Sequence, residues 1–356
     1  MVTSISLRLR AVKDVYCEKP LTLTIAEGKQ ITDTIRATGR VFQVGTQQRS
    51  GNQFQTAAAL MRAGRIGNPQ RLTVGIGNSP TSGPLPECSP PSTLNWNRWL
   101  GPAPWTPYVS AEKDPNPEPG YGSSFPFSRA HVHFRWWYDY AGGKLTDWGA
   151  HHVDIAMWAL GKSDGTIGPY TIEPISYEHP VDFVDGYATT SDQFDVATSF
   201  NIRVTFADGV ELDIVNYSEE LKFDNGIMFQ GDKGRYFVNR GKLTGKPSEE
   251  LAENPLPTSA FEELYPGLTP SSDEDNHGVR NNHHMLHFID CMKSRATPIS
   301  DAASHCRHLT VCHLANLSMR LGRKLTFDPA TERFVDDAQA DTFLAREPRK
   351  GFETEG

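Results

Sequence analysis

Asp14-Val15-Tyr16-Cys17-Glu18-Lys19-Pro20 and, one helix length later, Thr38-Gly39-Arg40-Val41-Phe42-Gln43-Val44-Gly45 decide the fold of the first part of this chain. Residues 14–17 read as a short buried strand, stopped by Pro20, which has no amide hydrogen for a ladder. Thr24 and Glu27 stand three apart, as the two members of a capping box do, which predicts a helix over 24–38 stopped at Gly39. Residues 40–45 read as a second strand, with Val41, Phe42 and Val44 apolar. Strand, helix and strand in this order imply a parallel unit with a right-handed crossover. Before it, Ile5, Leu9 and Val12 recur at helical spacing. After it, the pattern predicts a helix over 54–63 and a strand over 72–77.

Further along the signals change. A proline-rich stretch, 80–126, carries Trp96, Trp99, Trp105 and Tyr108; a loop of this kind reads as functional or interface-forming. Residues 145–160 read as one helix ending at Gly161. From 172 to 238 short segments alternate in polarity, with Asp208-Gly209 a strong hairpin turn and Gly231 to Gly234 another. This predicts an antiparallel sheet with one face packed and the other available to a partner. Phe200, Ile202, Val204 and Phe206 are expected on one face, and Val210, Leu212 and Ile214 on the other. Helices follow at 283–294 and 301–321. The fold class is α/β plus α+β: a partial parallel sheet over 1–68 (Rossmann-type by the resemblance given below), a domain with a large, mainly antiparallel sheet over 69–330, and a tail over 331–356.

Composition narrows the function. There are 35 basic and 43 acidic residues, a net charge of −8. This excludes nucleic acid and anionic membrane as partners and fits small neutral or polar substrates. No stretch approaches the ~20 apolar residues of a membrane span, and residues 1–13 lack the apolar run of a signal peptide, so the chain as written reads as cytoplasmic. The five cysteines (Cys17, Cys88, Cys291, Cys306 and Cys312) show no paired spacing and read as free thiols. Cys306 and Cys312 lie near His305, His308 and His313, but on a helix these would point in different directions, and no metal site is assigned.

The chemistry concentrates in two places. In Gly142-Gly143-Lys144-Leu145-Thr146-Asp147-Trp148-Gly149-Ala150-His151-His152-Val153-Asp154, Asp147 and His151 stand four apart, one turn on a single helical face. A carboxylate there can orient an imidazole that takes a hydroxyl proton while the carbon loses hydride. On spacing alone, an acid at a helix start beside a surface histidine fits equally. Asp154 is expected on the same face, with His152 turned about 100° away, to pack or to bind substrate. Lys19, at the carboxyl end of a strand, can polarise a substrate oxygen, though a solvated lysine also fits. Gln47, Gln48 and Arg49 follow the next strand at the same sheet edge, with Arg49 a candidate substrate ligand. A dinucleotide fingerprint is missing: Gly75-Ile76-Gly77-Asn78-Ser79-Pro80 runs into proline, not a helix.

With these residues in view the chain resembles the Gfo/Idh/MocA oxidoreductase superfamily, the glucose-fructose oxidoreductase and inositol dehydrogenase type. Glu18-Lys19-Pro20 looks like its EKP motif and Gly143 to Asp154 like its GGxxxDxGxHxxD motif. Val44 to Arg49 and Trp99-Leu100-Gly101-Pro102-Ala103-Pro104 look like one subgroup. The resemblance implies a sugar or polyol substrate, NAD or NADP as cofactor, and a homodimer or homotetramer. It implies catalytic roles for Lys19, Asp147 and His151, cofactor contacts from Glu18, Lys19, Pro20 and Gln47, and substrate contacts from Gln48, Arg49, His152 and Asp154. Family members carry a glycine-rich half-domain before the EKP strand, so the sequence reads as a truncated form expected to bind NAD(P) poorly. Two rival readings share the residues: an NAD-assisted glycosidase or lyase, and a non-catalytic sugar-binding subunit.

Overall fold

The computed structural model describes residues 2–111, 126–164, 166–268 and 281–353. The rest of the proline-rich segment, 112–125, lies outside the described residues.

The first unit forms as its local signals dictate. Helix α1 (Val2–Arg10) precedes β1 (Val15–Cys17), α2 (Ile25–Thr38) and β2 (Phe42–Val44). Thr24 caps α2: its hydroxyl accepts from the Glu27 amide, and the Glu27 carboxylate accepts from the amides of Leu23 and Thr24. Gly39 ends the helix at φ +61°, a conformation that favours glycine. β1 and β2 pair in parallel, Val15 opposite Phe42 and Cys17 opposite Val44. Ile5, Leu9, Leu21, Ile31, Phe42 and Val44 form a small separate core with Ala302.

After a 3₁₀ turn (Gln47–Ser50), the chain runs through α3 (Asn52–Arg62), β3 (Pro69–Ile76), α4 (Trp96–Leu100), a second 3₁₀ turn (His131–Trp136), α5 (Gly143–Asp147) and α6 (Gly149–Leu160). Strands β4 (Tyr170–Glu178), β5 (Phe183–Val184), β6 (Tyr187–Ala188), β7 (Ser199–Thr205), β8 (Glu211–Val215), β9 (Asn225–Gly231), β10 (Gly234–Val238) and β11 (Leu243–Thr244) follow. Then come α7 (Lys246–Glu249), α8 (Thr258–Glu262), α9 (Asn281–Ser294), α10 (Ala302–Leu321), β12 (Leu325–Asp328), β13 (Arg333–Phe334) and α11 (Ala338–Asp341). Nine strands form one sheet in the order β11-β10-β9-β3-β8-β7-β4-β12-β13, antiparallel except for the β3–β8 pair. Helices α3, α6 and α10 cover one face, and their apolar residues share its core.

Three expectations are corrected. The apolar residues of β7 and β8 share one face: Ile202 pairs with Ile214 and Val204 with Leu212, all fully buried. The hairpin sets Thr205 opposite Glu211, so even-numbered residues of both strands point into the core. The other face carries charge: Arg71 pairs with Glu211 at 2.8 Å and Arg203 with Asp213 at 2.8 Å. Second, residues 331–353 are no detached tail, since β13 is an edge strand and Phe334 and Ala340 are buried in the main core. Third, the helix over 145–160 is two helices. The Trp148 amide closes α5 on the Lys144 carbonyl, and the Trp148 carbonyl opens α6 by accepting from His151 and His152. Gly149 lies so close to α10 that a Cβ would sit 2.9 Å from the Cys312 sulfur. α6 thus packs closely on α10, and the backbone at Trp148 stays right-handed helical (φ −86°, ψ −30°).

Candidate active site

Asp147 is not bonded to His151. Its Oδ1 accepts from Lys19 Nζ at 2.7 Å, and Lys19 also donates to the Asp147 carbonyl at 2.8 Å. Its Oδ2 accepts from Arg135 NH1 at 2.9 Å. Burial alone would raise the Asp147 pKa, but Lys19 and Arg135 outweigh it and hold the carboxylate below its ordinary range. Lys19 thus reaches from the carboxyl end of β1 to the end of α5, joining the parallel unit to the sheet domain.

His151 lies in the first turn of α6, 5% exposed. Burial, then the charges of Lys19 and Arg240, hold its pKa well below the ordinary value, so it is a neutral imidazole at pH 7. Its Nδ1 is buried without a hydrogen-bond partner. His152 packs inward: Gln48 Nε2 donates to its Nδ1 at 3.1 Å, so Nε2 carries the hydrogen and donates to Asn225 Oδ1 at 3.2 Å. Burial lowers its pKa to about 4. The Gln48 carbonyl accepts from Arg240 Nε at 3.2 Å, and the Arg240 guanidinium lies 4.5 Å from the Trp148 ring centre.

Arg49 and Asp154, expected to touch substrate, form a sealed pair instead; both side chains are 1% exposed. Arg49 Nε and NH2 donate to the two Asp154 oxygens at 2.7 and 2.6 Å, and NH1 donates to the Ile299 carbonyl and the Ser304 hydroxyl. His308 Nδ1 lies 2.8 Å from Asp154 Oδ1. Asp154 reaches His308 on α10, while Asp147, about two turns earlier, meets Lys19 and Arg135. With its partners all internal, this network leaves nothing to offer a ligand.

At the ends of β1 and β2, Gln47 Nε2 donates to Glu18 Oε1 at 3.0 Å and to the Tyr16 hydroxyl at 3.2 Å. The Lys19–Pro20 peptide is cis. Gly45 lets the Glu18 carboxylate lie against the end of β2: a Cβ there would sit 2.6 Å from that carboxyl.

Sequence reasoning missed Arg135, Lys144, Asn225 and Arg240. Lys144 could have been found, one turn before Asp147 in the quoted motif; the others arrive through tertiary packing and left no local signal. A separate cavity of about 320 Å³, lined by Tyr138, Asp139, Arg320 and Arg346, contains none of Lys19, Asp147 and His151. Among the described residues no group of three His, Cys, Asp or Glu side chains could hold a metal ion. No helix among them is long and apolar enough to cross a membrane.

Comparison with known proteins follows this geometry. Residues 4–46 match the model for the oxidoreductase family, NAD-binding Rossmann fold, and residues 81–268 and 275–354 match that for the oxidoreductase family, C-terminal alpha/beta domain. A stretch of 57 residues is 37% identical to scyllo-inositol 2-dehydrogenase (NAD(+)) of Bacillus subtilis (strain 168), spanning 16% of this chain and 17% of that protein's length. Two solved structures share the fold. One is aldose-aldose oxidoreductase from Caulobacter crescentus in complex with glycerol (TM-score 0.52, 16% identity, 90% of this chain and 74% of that one). The other is the WlbA dehydrogenase from Chromobacterium violaceum in complex with NADH and UDP-GlcNAcA (TM-score 0.55, 16% identity, 92% and 74%). The cofactor is accordingly a nicotinamide dinucleotide, NAD or NADP. The polar side chains of Glu18, Lys19 and Gln47 at this sheet edge suit its nicotinamide end; no glycine-rich strand-to-helix turn for the phosphates lies among the described residues. The chain belongs to the Gfo/Idh/MocA oxidoreductase family.

Proposed function

We propose that this site moves a hydride between NAD(P) and a hydroxyl-bearing carbon of a sugar or polyol, with Lys19, Asp147 and His151 as its working residues. The observation that carries the reading is a neutral, buried imidazole beside a lysine clamped to a carboxylate at the carboxyl edge of a parallel strand pair. When bound, the oxidised cofactor supplies the hydride acceptor. Glu18, Lys19, Pro20 and Gln47 would hold its nicotinamide end.

Lys19 spends two bonds on Asp147, one to the carboxylate and one to the carbonyl, which fixes the direction of its remaining N–H. That N–H donates to the substrate oxygen and stabilises the alkoxide as it forms. His151 takes the hydroxyl proton on Nε2, the nitrogen left to meet substrate because Nδ1 is buried. As the C–H bond gives its electron pair to the acceptor, the carbonyl forms and His151 holds the proton. Asp147 acts by positioning Lys19 and Arg135, not by orienting the histidine. His152 and Gln48 support the wall of the site.

Substrate deuterated at the reacting carbon tests this. The deuterium should appear on the nicotinamide, with reduced cofactor accumulating in step with product. Release of a leaving group from a glycoside with no net reduced cofactor would replace this reading with the glycosidase one.

The chain also pairs with a second copy through the open sheet face. What supports this is that helices cover only the opposite face; the apolar argument for it fails, because the open face is charged. All five cysteines are free thiols, which suits a cytoplasmic location.

A further inference from the structure

Asp147 is one carboxylate among four cations. Lys19 and Arg135 occupy its two oxygens. Lys144, one turn earlier on α5, faces the same group and feels the charges of Lys19 and Arg135. Its Nζ stands 3.7 Å from where a Cβ on Gly77, just past β3, would lie. Among the described residues it makes no hydrogen bond or ion pair within bonding distance; exposed Asp224 acts on it only through charge. Burial and the neighbouring cations leave its pKa below the ordinary value. Arg240 enters from the end of β10. Its Nε is taken by Gln48 and its face by Trp148, yet its two terminal nitrogens have no partner among the described residues.

Lys144, half-buried, and Arg240, exposed, join two further cations in this site, and beyond the charges of Asp147 and Asp224 the protein supplies no local relief. A neutral sugar would supply none either. An oxyanion would: guanidinium and ammonium together suit a carboxylate or phosphate, one as a planar fork and the other as a point charge. We propose that the substrate is an acidic sugar derivative, whose oxyanion sits between Lys144 and Arg240 while its reacting hydroxyl faces Lys19 and His151. This rests on reading the site as the sugar pocket, and it replaces the expectation of a neutral substrate drawn from the net charge of −8. Net charge describes the whole surface, whereas recognition depends on the local field.

Calorimetric titration of the chain without cofactor, at low salt, tests this with galacturonate, glucose 6-phosphate, galactose and myo-inositol. At least one acid should bind about tenfold or more tighter than the neutral sugars. Which acid wins tells carboxylate from phosphate. The preference should shrink as salt is added. Lys144→Met and Arg240→Gln should each cut acid binding about tenfold, and Arg240→Lys should restore part of it. Circular dichroism on each variant separates lost binding from lost folding. Equal binding of acids and neutral sugars, no binding of either acid, or a preference that survives the folded double variant overturns the proposal. Acid preference without hydride transfer would sink the redox reading alone; hydride transfer from neutral sugars as efficient as from acids would sink this one alone.

Discussion

Asp147 and Asp154 stand seven residues apart on consecutive helices, and each is held by an arginine. One carboxylate is 16% exposed, shared between Lys19 and Arg135, with further cations near it. The other is 1% exposed and locked to Arg49 and His308. The same chemistry serves two ends. In the sealed pair every donor and acceptor is satisfied internally, so it fixes how α6 lies against α10. In the open pair charge is left over, so the site can still bind something. About two helical turns separate them: Asp147 meets Lys19 and Arg135 near the surface, and Asp154 meets Arg49 and His308 in the core.

The largest effects should divide along that line. His151→Asn should lower kcat by about 10²–10⁴ with little change in KM or melting temperature. An unchanged kcat would remove the imidazole from proton transfer and leave the open cluster without chemistry. Arg49→Met should do the reverse, costing about 3–5 kcal/mol of stability by stranding a buried carboxylate. Chemical denaturation reads this directly. If Arg49→Met instead raised KM with stability intact, the pair would not be sealed in solution. Asp147→Asn lies between them: kcat/KM should drop because Lys19 and Arg135 lose their anchor, while the melting temperature shifts by a few degrees at most.

How much of this was legible follows from where each signal lives. The Thr24–Glu27 box and Gly39 are local, so the first strand–helix–strand unit could be read residue by residue. The shared face of β7 and β8 was legible in principle: counting outward from Asp208-Gly209 sets Thr205 opposite Glu211 and aligns the apolar residues. The partners of Asp154 were not legible. Helical spacing sets Asp147, His151 and Asp154 on one side, but His308, on a helix more than 150 residues away, and Arg49 close on Asp154, so this end of the face is an internal pair and not a substrate contact. Arg135 and Arg240 carry no motif of their own, and only tertiary packing brings them to Asp147.

Acid should weaken the sealed interior before it alters the charge of the open cluster. His151, His152, His284 and His308 are buried, and burial lowers the pKa of each, to about 4 for His152 and His284. In the unfolded chain each takes a proton near pH 6.5. Below that pH the unfolded state binds more protons, so stability falls as pH falls toward 4. Asp195, raised to about 7 by burial, and Asp139, also raised, act oppositely, but His179, His287 and His313 are lowered too, so the imidazoles outnumber these two carboxyls. Urea midpoints measured from pH 7.5 down to 4.5 should therefore decline; a flat or rising series would mean that these imidazoles reach water.

The smallest effect belongs to the open face of the sheet, where Arg71, Glu211, Arg203 and Asp213 form a lattice of partly exposed pairs. Pairs of this kind contribute about 0.2–1 kcal/mol when water reaches them. Arg203→Ala should then cost at most about 1 kcal/mol, by the same amount at every protein concentration. A second copy seated on this face would change the arithmetic. The lattice would lose its water, Asp213 would be left with Arg71 alone at 3.5 Å, and the loss would grow and depend on concentration. Melting curves of the wild type and Arg203→Ala at dilute and concentrated protein decide it. A concentration-dependent difference makes the lattice an interface, closer in kind to the Arg49–Asp154 pair than to an exposed surface. A constant, small one leaves it a solvated face and removes the support for self-association through this sheet.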